Sequence, residues 1–250
     1  MIETAPLTLG GEQLVADPSG ALWWPAERTL VVSDLHLEKG SSFARHGLLL
    51  PPYDTGATLA RLSEVIARWQ PMRVIALGDS FHDAGAAARL SDADAGQLRQ
   101  LVTARNWIWI GGNHDPAPDF APGGQALTGR GISGSWIGGD LVSGALIFRH
   151  EARSEGPGAS EAEVSGHFHP KAYVRVHGRR LSRRCFVSDG RRLILPAFGA
   201  YAGGLDLGDP ALAPLFPTGG TAYLIGERRV TALPFRRSPL AAKPGARQTP

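Results

Sequence analysis

The chain contains almost no cysteine and no long apolar run. Cys185 is the one cysteine among 250 residues, which excludes an internal disulfide framework and any metal site built on several thiolates. No apolar stretch approaches the roughly 18 residues that a membrane-spanning helix needs, and Met1–Gly20 lacks the pattern of a signal peptide. We therefore expect a cytoplasmic enzyme or binding protein.

Strong net charge is also missing. The formal charge is +3, which permits a polyanionic partner without requiring one. Hydrophobic residues make up 43% and charged residues 20%, as in ordinary globular proteins, and the length suits one domain. We predict a single domain over residues 1–235. Residues 236–250 offer little to bury, which predicts a disordered C-terminal tail.

Hydrophobic periodicity divides the chain into two halves. The first half alternates short apolar runs with helical patterns, which predicts a parallel sheet with crossover helices. The predicted strands are 30–32, 73–77 and 107–110, and the predicted helices are 55–69 and 92–104. From Ile132 to about Val230 the pattern changes to short β-type stretches between glycine-rich turns, which predicts a second sheet packed on the first.

Side chains that can bind metals follow the predicted strands. They occur in Asp34-Leu35-His36, in Gly78-Asp79, in Gly112-Asn113-His114-Asp115, at His150, and in Gly166-His167-Phe168-His169. Carboxyl ends of parallel strands meet in one crevice, so the first three segments should converge. On an extended segment, residues two apart project to the same side, so Asp34 with His36, and His167 with His169, can serve one ion or two adjacent ions.

Each of these residues has an ordinary structural interpretation when it is taken alone. His150 is then a core or surface histidine, Asp79 a helix cap and Asn113 a turn residue. Five ligand-bearing segments in this order instead favour a site. Oxygen and nitrogen donors without thiolate suit Mn, Fe or Zn, and their number fits two ions that share a carboxylate.

The full series resembles the motifs of the calcineurin-like metallophosphoesterases, over about Val31 to His169. The resemblance implies an α/β (α+β) fold, a four-layer β-sandwich flanked by helices, with a two-metal centre at its edge. It implies that one ion is held by Asp34, His36, Asp79 and His169, and the other by Asp79, Asn113, His150 and His167. His114 would then lie beside the scissile phosphate.

This site suggests hydrolysis without a covalent enzyme intermediate. The hypothesis is in-line attack on phosphorus by a hydroxide that bridges the two ions. His114, oriented by Asp115, would donate a proton to the leaving oxygen or stabilise charge on the phosphate.

Further stretches resemble a smaller bacterial group, the ligase-associated DNA damage response endonucleases. They are residues 33–42, 78–83 and 195–205. The segment after Asp79 also lacks the arginine that Ser/Thr protein phosphatases carry there. The resemblance implies a Mn²⁺-dependent phosphodiesterase that nicks nucleic acid, chiefly single-stranded DNA, in DNA repair. It also implies a functional association with a DNA ligase and a helicase.

Candidate substrate contacts lie outside the metal ligands. Eight basic residues and one acidic residue occur between Lys171 and Arg192, and a basic surface there could follow a phosphate backbone through Arg179 and Arg180. A solvated hairpin explains the same charges. Arg45, in the Gly/Ser-rich loop after the first ligands, is a further candidate, although exposed loops often carry such charges without a function. His82 is another candidate, and its alternative is a role in packing.

Two other functions remain open at this stage. One is a small-molecule phosphatase or cyclic-nucleotide phosphodiesterase, which would need a narrow pocket. The other is a catalytically inactive scaffold, which is disfavoured because every expected ligand position is present.

Overall fold

Two mixed β-sheets pack face to face in the computed structural model, which describes residues 2–115, 127, 129–176 and 178–236. The first sheet has seven strands in the order β1 to β7. They are β1 (Ala5–Leu9), β2 (Glu12–Ala16), β3 (Leu22–Trp24), β4 (Thr29–Val32), β5 (Arg73–Leu77), β6 (Asn106–Ile110) and β7 (Ser135–Ile137).

Eight strands form the second sheet. They are β8 (Leu141–Ser143), β9 (Leu146–Phe148), β10 (Ala162–Ser165), β11 (Lys171–Val176), β12 (Arg179–Ser188), β13 (Arg192–Ile194), β14 (Gly219–Ile225) and β15 (Val230–Arg236). Seven of them follow the order β15-β14-β12-β13-β10-β9-β8, and β11 pairs with the first half of β12. The two-sheet prediction is thereby confirmed.

Helices connect the parallel strands of the first sheet. They are α1 (Lys39–Arg45), α2 (Asp54–Trp69), α3 (Ala86–Arg89) and α4 (Asp92–Thr103). Strands β4, β5 and β6 are parallel neighbours, as the alternation of apolar runs and helical patterns predicts. Strand β7 lies in the stretch that the sequence assigned to the second sheet, and that assignment is wrong for it: β7 pairs in parallel with β6 and belongs to the first sheet. The antiparallel strands β1, β2 and β3, which the sequence pattern did not predict, extend this sheet on its other side.

Side-chain alternation in β6 separates two hydrophobic cores. Trp107 and Trp109 face the helices, whereas Ile108 and Ile110 belong to the core between the sheets. The ring centroids of Trp107 and Trp109 lie 5.1 Å apart, and Trp136 of β7 stacks on Trp109 at 5.5 Å. Successive side chains of the strand thus point alternately into the two cores.

A third core covers the outer face of the second sheet. Its strand residues, which include Cys185 and Val187, pack against Leu212, Leu215 and Phe216 around the 3₁₀ helix Ala213–Leu215. Among the described residues this face is thus covered by a loop with one helical turn. The α/β fold class is confirmed, and the long helices α2 and α4 pack on the first sheet.

The last strand extends one residue past the predicted end of the domain. Arg236, assigned by sequence to the tail, is the last residue of β15, and residues 237–250 lie outside the described residues. The single-domain assignment stays a prediction. In the described part of the chain, no helix has the length and apolar character that crossing a membrane requires.

Candidate metal centre

The loop after β4 carries two candidate ligands in an unusual backbone conformation. Asp34 and His36 have φ values of 54° and 44°, in the left-handed region that non-glycine residues seldom adopt. The Asp34 N–H donates to the carbonyl of Gly78 at 3.2 Å, and the His36 N–H donates to that of Asp79 at 2.9 Å. These bonds continue the β4–β5 pairing past the strand ends and bring the two loops together.

The expected extended geometry is therefore wrong for these motifs. His167 and His169 also have positive φ, at 66° and 46°. Asp34 and His36 still reach one group, but His167 and His169 point into two different groups. The directions of these side chains are set by a left-handed backbone conformation at every second residue, and not by the pleat of a β-strand.

The first group consists of Asp34, His36 and His169. His169 Nε2 lies 3.1 Å from Asp34 Oδ1 and 3.4 Å from His36 Nε2. Burial acts to raise the pKa of Asp34, but the hydrogen bond and charge of His169 bring it below its usual value. Burial lowers the pKa of His36 to about 4, which leaves this imidazole neutral.

The second group consists of Asp79, His150 and His167. His150 Nε2 lies 3.4 Å from Asp79 Oδ2, 3.1 Å from His167 Nδ1 and 3.0 Å from Asn113 Oδ1. Burial disfavours charge on His150, but the hydrogen bond to Asp79 outweighs it and raises the pKa to about 9. Burial opposes ionisation of Asp79, yet the bond with His150 lowers its pKa to about 2.

These contacts fit divalent cations. In each group two imidazole nitrogens face each other beside a carboxylate oxygen, and lone pairs at that distance repel unless a proton or a metal ion lies between them. The outer nitrogen of His150, Nδ1, lies 2.9 Å from the Leu77 carbonyl, as is typical of metal-binding histidines. Nitrogen and oxygen donors without thiolate suit Mn, Fe or Zn. The structure therefore has two candidate metal sites.

Two glycines allow the loops to approach this closely. Gly78 has a φ of +71°, and a Cβ there would collide with the ring of His150. A Cβ at Gly166 would collide with Ser33, whose hydroxyl donates to Asp34 Oδ2. The glycines that precede Asp79 and His167 are thus steric requirements.

His114 lies next to the second group without belonging to it. Its backbone N–H donates to Asp79 Oδ1 at 2.9 Å, and its ring Nε2 is 4.0 Å from Asp79 Oδ2. Ring Nδ1 lies 3.1 Å from the carbonyl of His82, which fixes the proton on Nδ1. The exposed ring can therefore accept or release a proton at Nε2.

Asp115 does not orient His114 as predicted. Oδ1 of Asp115 accepts the backbone N–H of Phe81 at 2.9 Å, and Oδ2 accepts that of Gly112 at 3.0 Å. The carboxylate thus links the loops after β5 and β6, and the carbonyl of His82 orients the His114 ring in its place. Burial raises the pKa of Asp115 to about 7 despite these two bonds.

The predicted substrate contacts lie in three different parts of the structure. The ring of His82 stacks on His114 at 5.4 Å, so it lies at the centre. Arg45 is exposed on α1, so the predicted loop there is wrong: Lys39–Arg45 forms seven helical residues instead. Arg179 and Arg180 lie at the tip of the β11–β12 hairpin. From Lys171 to the end of β11 the hairpin is about 16 Å long.

The predicted basic surface is smaller than its sequence range. Arg180 stacks on the ring of Tyr173 at 3.7 Å and remains exposed. Arg192, in contrast, is buried and paired with Glu163 at 2.9 Å. The end of the stretch therefore contributes to the core rather than to a surface.

Sequence reasoning missed two supporting elements of the centre. One is Ser33, which bonds to Asp34. The other is the segment 196–200, where the N–H groups of Phe198 and Gly199 donate to the carbonyls of Ser33 and Asp34 at 2.8 and 3.0 Å. The stretch 195–205 was conspicuous in the sequence, but nothing in its pattern indicates which loop it contacts.

The chain is similar to solved structures. The chain is similar to the Pseudomonas putida nuclease MPE, with 29% identity, a TM-score of 0.70, and coverage of 92% of this chain and 100% of that one. The E. coli phosphoesterase Yfce is also similar, with 13% identity and a TM-score of 0.40, over 82% of this chain and 97% of that one. No curated protein matches the chain.

The profile of the calcineurin-like phosphoesterases matches residues 27–220, most of the chain. Enzymes of this family use two divalent metals, in keeping with the two groups described above. The chain therefore belongs to the calcineurin-like phosphoesterase family and is a metal-dependent phosphoesterase.

Proposed function

We propose that this enzyme is a phosphodiesterase that cleaves nucleic acid, with single-stranded DNA as its principal substrate. The observation that carries the proposal is the pair of ligand groups at one sheet edge with the exposed His114 ring beside them. Similarity to a nuclease over that protein's whole length supports a nucleic-acid substrate.

Two divalent ions would be held by the residues of the two groups. Asp34, His36 and His169 are the proposed ligands of the first, and Asn113, His150 and His167 those of the second, with Asp79 shared between them. Mn²⁺ is the proposed native ion, and Fe or Zn suits the same donors. When bound, such ions polarise phosphoryl oxygens and stabilise charge on the attacking and leaving oxygens.

His114 is the proposed proton donor to the leaving oxygen. The His82 carbonyl holds the Nδ1 proton of the ring, so Nε2 is the nitrogen that exchanges a proton with substrate. Stacking against His82 fixes the plane of the ring. Burial and the charge of Lys39 lower the pKa of His82, which favours the neutral form of the ring that stacks on His114.

A nucleic-acid chain is proposed to contact basic residues outside the metal groups. Arg45 on α1 and the exposed hairpin arginines Arg179 and Arg180 are the proposed phosphate contacts. The proposed setting is DNA repair in the cytoplasm, in functional association with a DNA ligase and a helicase. Exposed arginines on a two-stranded projection suit a polymer better than a small molecule.

The test incubates Mn²⁺-loaded protein with circular single-stranded DNA, with duplex DNA and with a chromogenic phosphodiester. Asp79→Asn protein, purified in parallel, controls for a contaminating nuclease. We expect the circle to be opened by the wild type and not by the variant, which establishes endonuclease action. Hydrolysis of the chromogenic ester alone would overturn the proposal and favour a small-molecule phosphatase or cyclic-nucleotide phosphodiesterase.

A further inference from the structure

A basic cleft lies between α2 and the first half of β12, outside the metal groups. Its volume is about 570 Å³, and its lining includes Arg61 and Arg68 from α2 and Arg183 and Arg184 from β12. Arg68 is paired with Asp17 at 2.7 Å. In the described part of the chain, the other three arginines have no carboxylate within ion-pair distance.

Arg61 and Arg184 are partly buried and close enough to influence each other. Each guanidinium donates to a backbone carbonyl: Arg61 Nη1 to Phe198 at 2.9 Å and Arg184 Nη1 to Ala197 at 2.6 Å. Burial, followed by the charge of Arg61, lowers the pKa of Arg184 to about 10. Two partly desolvated positive charges without a paired carboxylate attract an anion.

Arg183 adds an exposed charge to the same cleft. Its Nη1 donates to the carbonyl of the adjacent Ser182 at 3.1 Å, and among the described residues its guanidinium has no other partner, so most of its donors are available to a ligand. Glu64 and Glu227 also line the cleft, so the cleft combines four arginines with two carboxylates. The net charge of the lining remains positive.

The cleft is linked to the metal centre through one backbone segment. The carbonyls of Ala197 and Phe198 accept from the two arginines, while the N–H groups of Phe198 and Gly199 donate to the loop that carries Asp34. The cleft and the ligand loop therefore contact opposite edges of the same segment. Along β12, Arg183 lies between Arg184, which contacts this segment, and the hairpin tip at Arg179.

We propose that this cleft binds the phosphate backbone of a single-stranded nucleic acid whose scissile bond lies at the metal centre. This inference rests on the proposed function and specifies where the substrate runs. Arg183 is the residue that contacts phosphate most directly, and Arg61 and Arg184 add charge while they hold segment 196–200.

The test compares Arg183→Gln with the wild type. Because Arg183 is exposed, its substitution leaves both bonds to segment 196–200 in place. The matched control is Arg28→Gln, since Arg28 is also exposed and donates to a backbone carbonyl, that of Gln70, at 3.1 Å. Arg28 precedes β4, at the sheet edge opposite the ligand loops.

Binding of a fluorescein-labelled single-stranded oligonucleotide is measured by anisotropy over a series of salt concentrations, and cleavage is compared with that of bis(p-nitrophenyl) phosphate. We expect Arg183→Gln to weaken oligonucleotide binding about tenfold at low salt, as for the loss of one charged hydrogen bond. The salt slope should become shallower by about 0.7. The ratio of kcat/KM for oligonucleotide to that for the small ester should fall in Arg183→Gln only.

Equal oligonucleotide binding by Arg183→Gln and the wild type at every salt concentration would overturn this inference alone. If the wild type hydrolyses the small ester and neither binds nor cleaves the oligonucleotide, the proposed function fails as well. A loss of binding in Arg28→Gln equal to that in Arg183→Gln would also overturn the inference, because the effect would then follow total charge rather than the cleft.

Discussion

The backbone N–H of His114 donates to Oδ1 of Asp79 at 2.9 Å, so the segment that carries the proposed proton donor is fixed to the carboxylate of the second metal group. One hydrogen bond thus couples the position of the acid to that of the metal site. Substitution of each residue separates the contribution of His114 from that of Asp79.

His114→Ala should reduce turnover of a chromogenic phosphodiester by about 10²- to 10⁴-fold, the usual contribution of a positioned proton donor. Its bound metal should stay at the wild-type level, because the substitution keeps the backbone bond to Asp79 and removes a ring outside both ligand groups. Steady-state kinetics and metal analysis of the same preparation check this. A variant that loses its metal would identify His114 as a ligand instead.

Asp79→Asn should lower the metal content by at least one ion per chain and abolish phosphodiester hydrolysis. The substitution removes the charge that faces His150 Nε2 at 3.4 Å. Asp92→Asn, at an exposed position of α4, is the control and should retain full metal and activity. Wild-type metal content in Asp79→Asn would contradict its role as a shared ligand.

Metal affinity should rise with pH between about 6.5 and 9. The folded metal-free protein holds a proton on His150 with a pKa of about 9, against an ordinary value of 6.5, and an ion must displace that proton. Titration of Mn²⁺ at several pH values measures this. An affinity independent of pH over this range would show that His150 is already neutral.

Stability of the metal-free protein should change with the opposite sign. Because the folded state binds this proton more tightly than the unfolded chain, its contribution is fully present below pH 6.5 and is lost as the pH rises through 9. The loss amounts to about 3 kcal/mol for such a shift. Chemical unfolding with a chelator checks it. His150→Gln should lack this component, and an identical pH dependence in both proteins would refute the assignment.

Gly78→Ala should lower the free energy of unfolding by more than about 1 kcal/mol, because it places a side chain at positive φ. It should also displace the His150 ring and reduce metal binding. Gly139→Ala is the matched control, since a Cβ there meets no atom within 4 Å. Equal stability and metal content in the two variants would mean that the loop after β5 relaxes without cost.

Replacing both Arg179 and Arg180 with Ser should weaken binding of single-stranded DNA. Removal of two phosphate contacts should make the salt slope shallower by about 1.4. Anisotropy titrations over a range of salt concentrations give this slope, with Arg28→Ser as the control. Unchanged binding would leave the hairpin tip as a solvated structure and restrict the substrate path to the cleft.

The convergence of ligand segments could be predicted because it depends on local signals. Buried apolar runs define β4, β5 and β6, and the parallel order of these strands brings Asp34, Asp79 and Asn113 to one edge. Helix periodicity likewise predicted α2 and α4 to within a residue or two of their ends.

Other features depend on contacts between distant segments and leave no local pattern. The Gly/Ser-rich sequence of α1 favours a loop, yet the carboxylate of Asp54 accepts the N–H of Gly40 at 2.9 Å at the start of this helix. The side chain of Asp115 could contact its neighbour His114 or the backbone of Phe81, and only the packed loops determine which. The positive φ values of Asp34, His36, His167 and His169 are likewise not revealed by the residue types.

The stacked tryptophans of β6 and β7 give the enzyme an intrinsic fluorescent reporter. Trp109 lies 6.0 Å from the ring of Phe81, and the N–H of Phe81 bonds to Asp115 in the segment that also carries Asn113. A shift of that segment on metal binding will alter the surroundings of this indole. Tryptophan emission can therefore follow metal loading in the unlabelled wild-type chain.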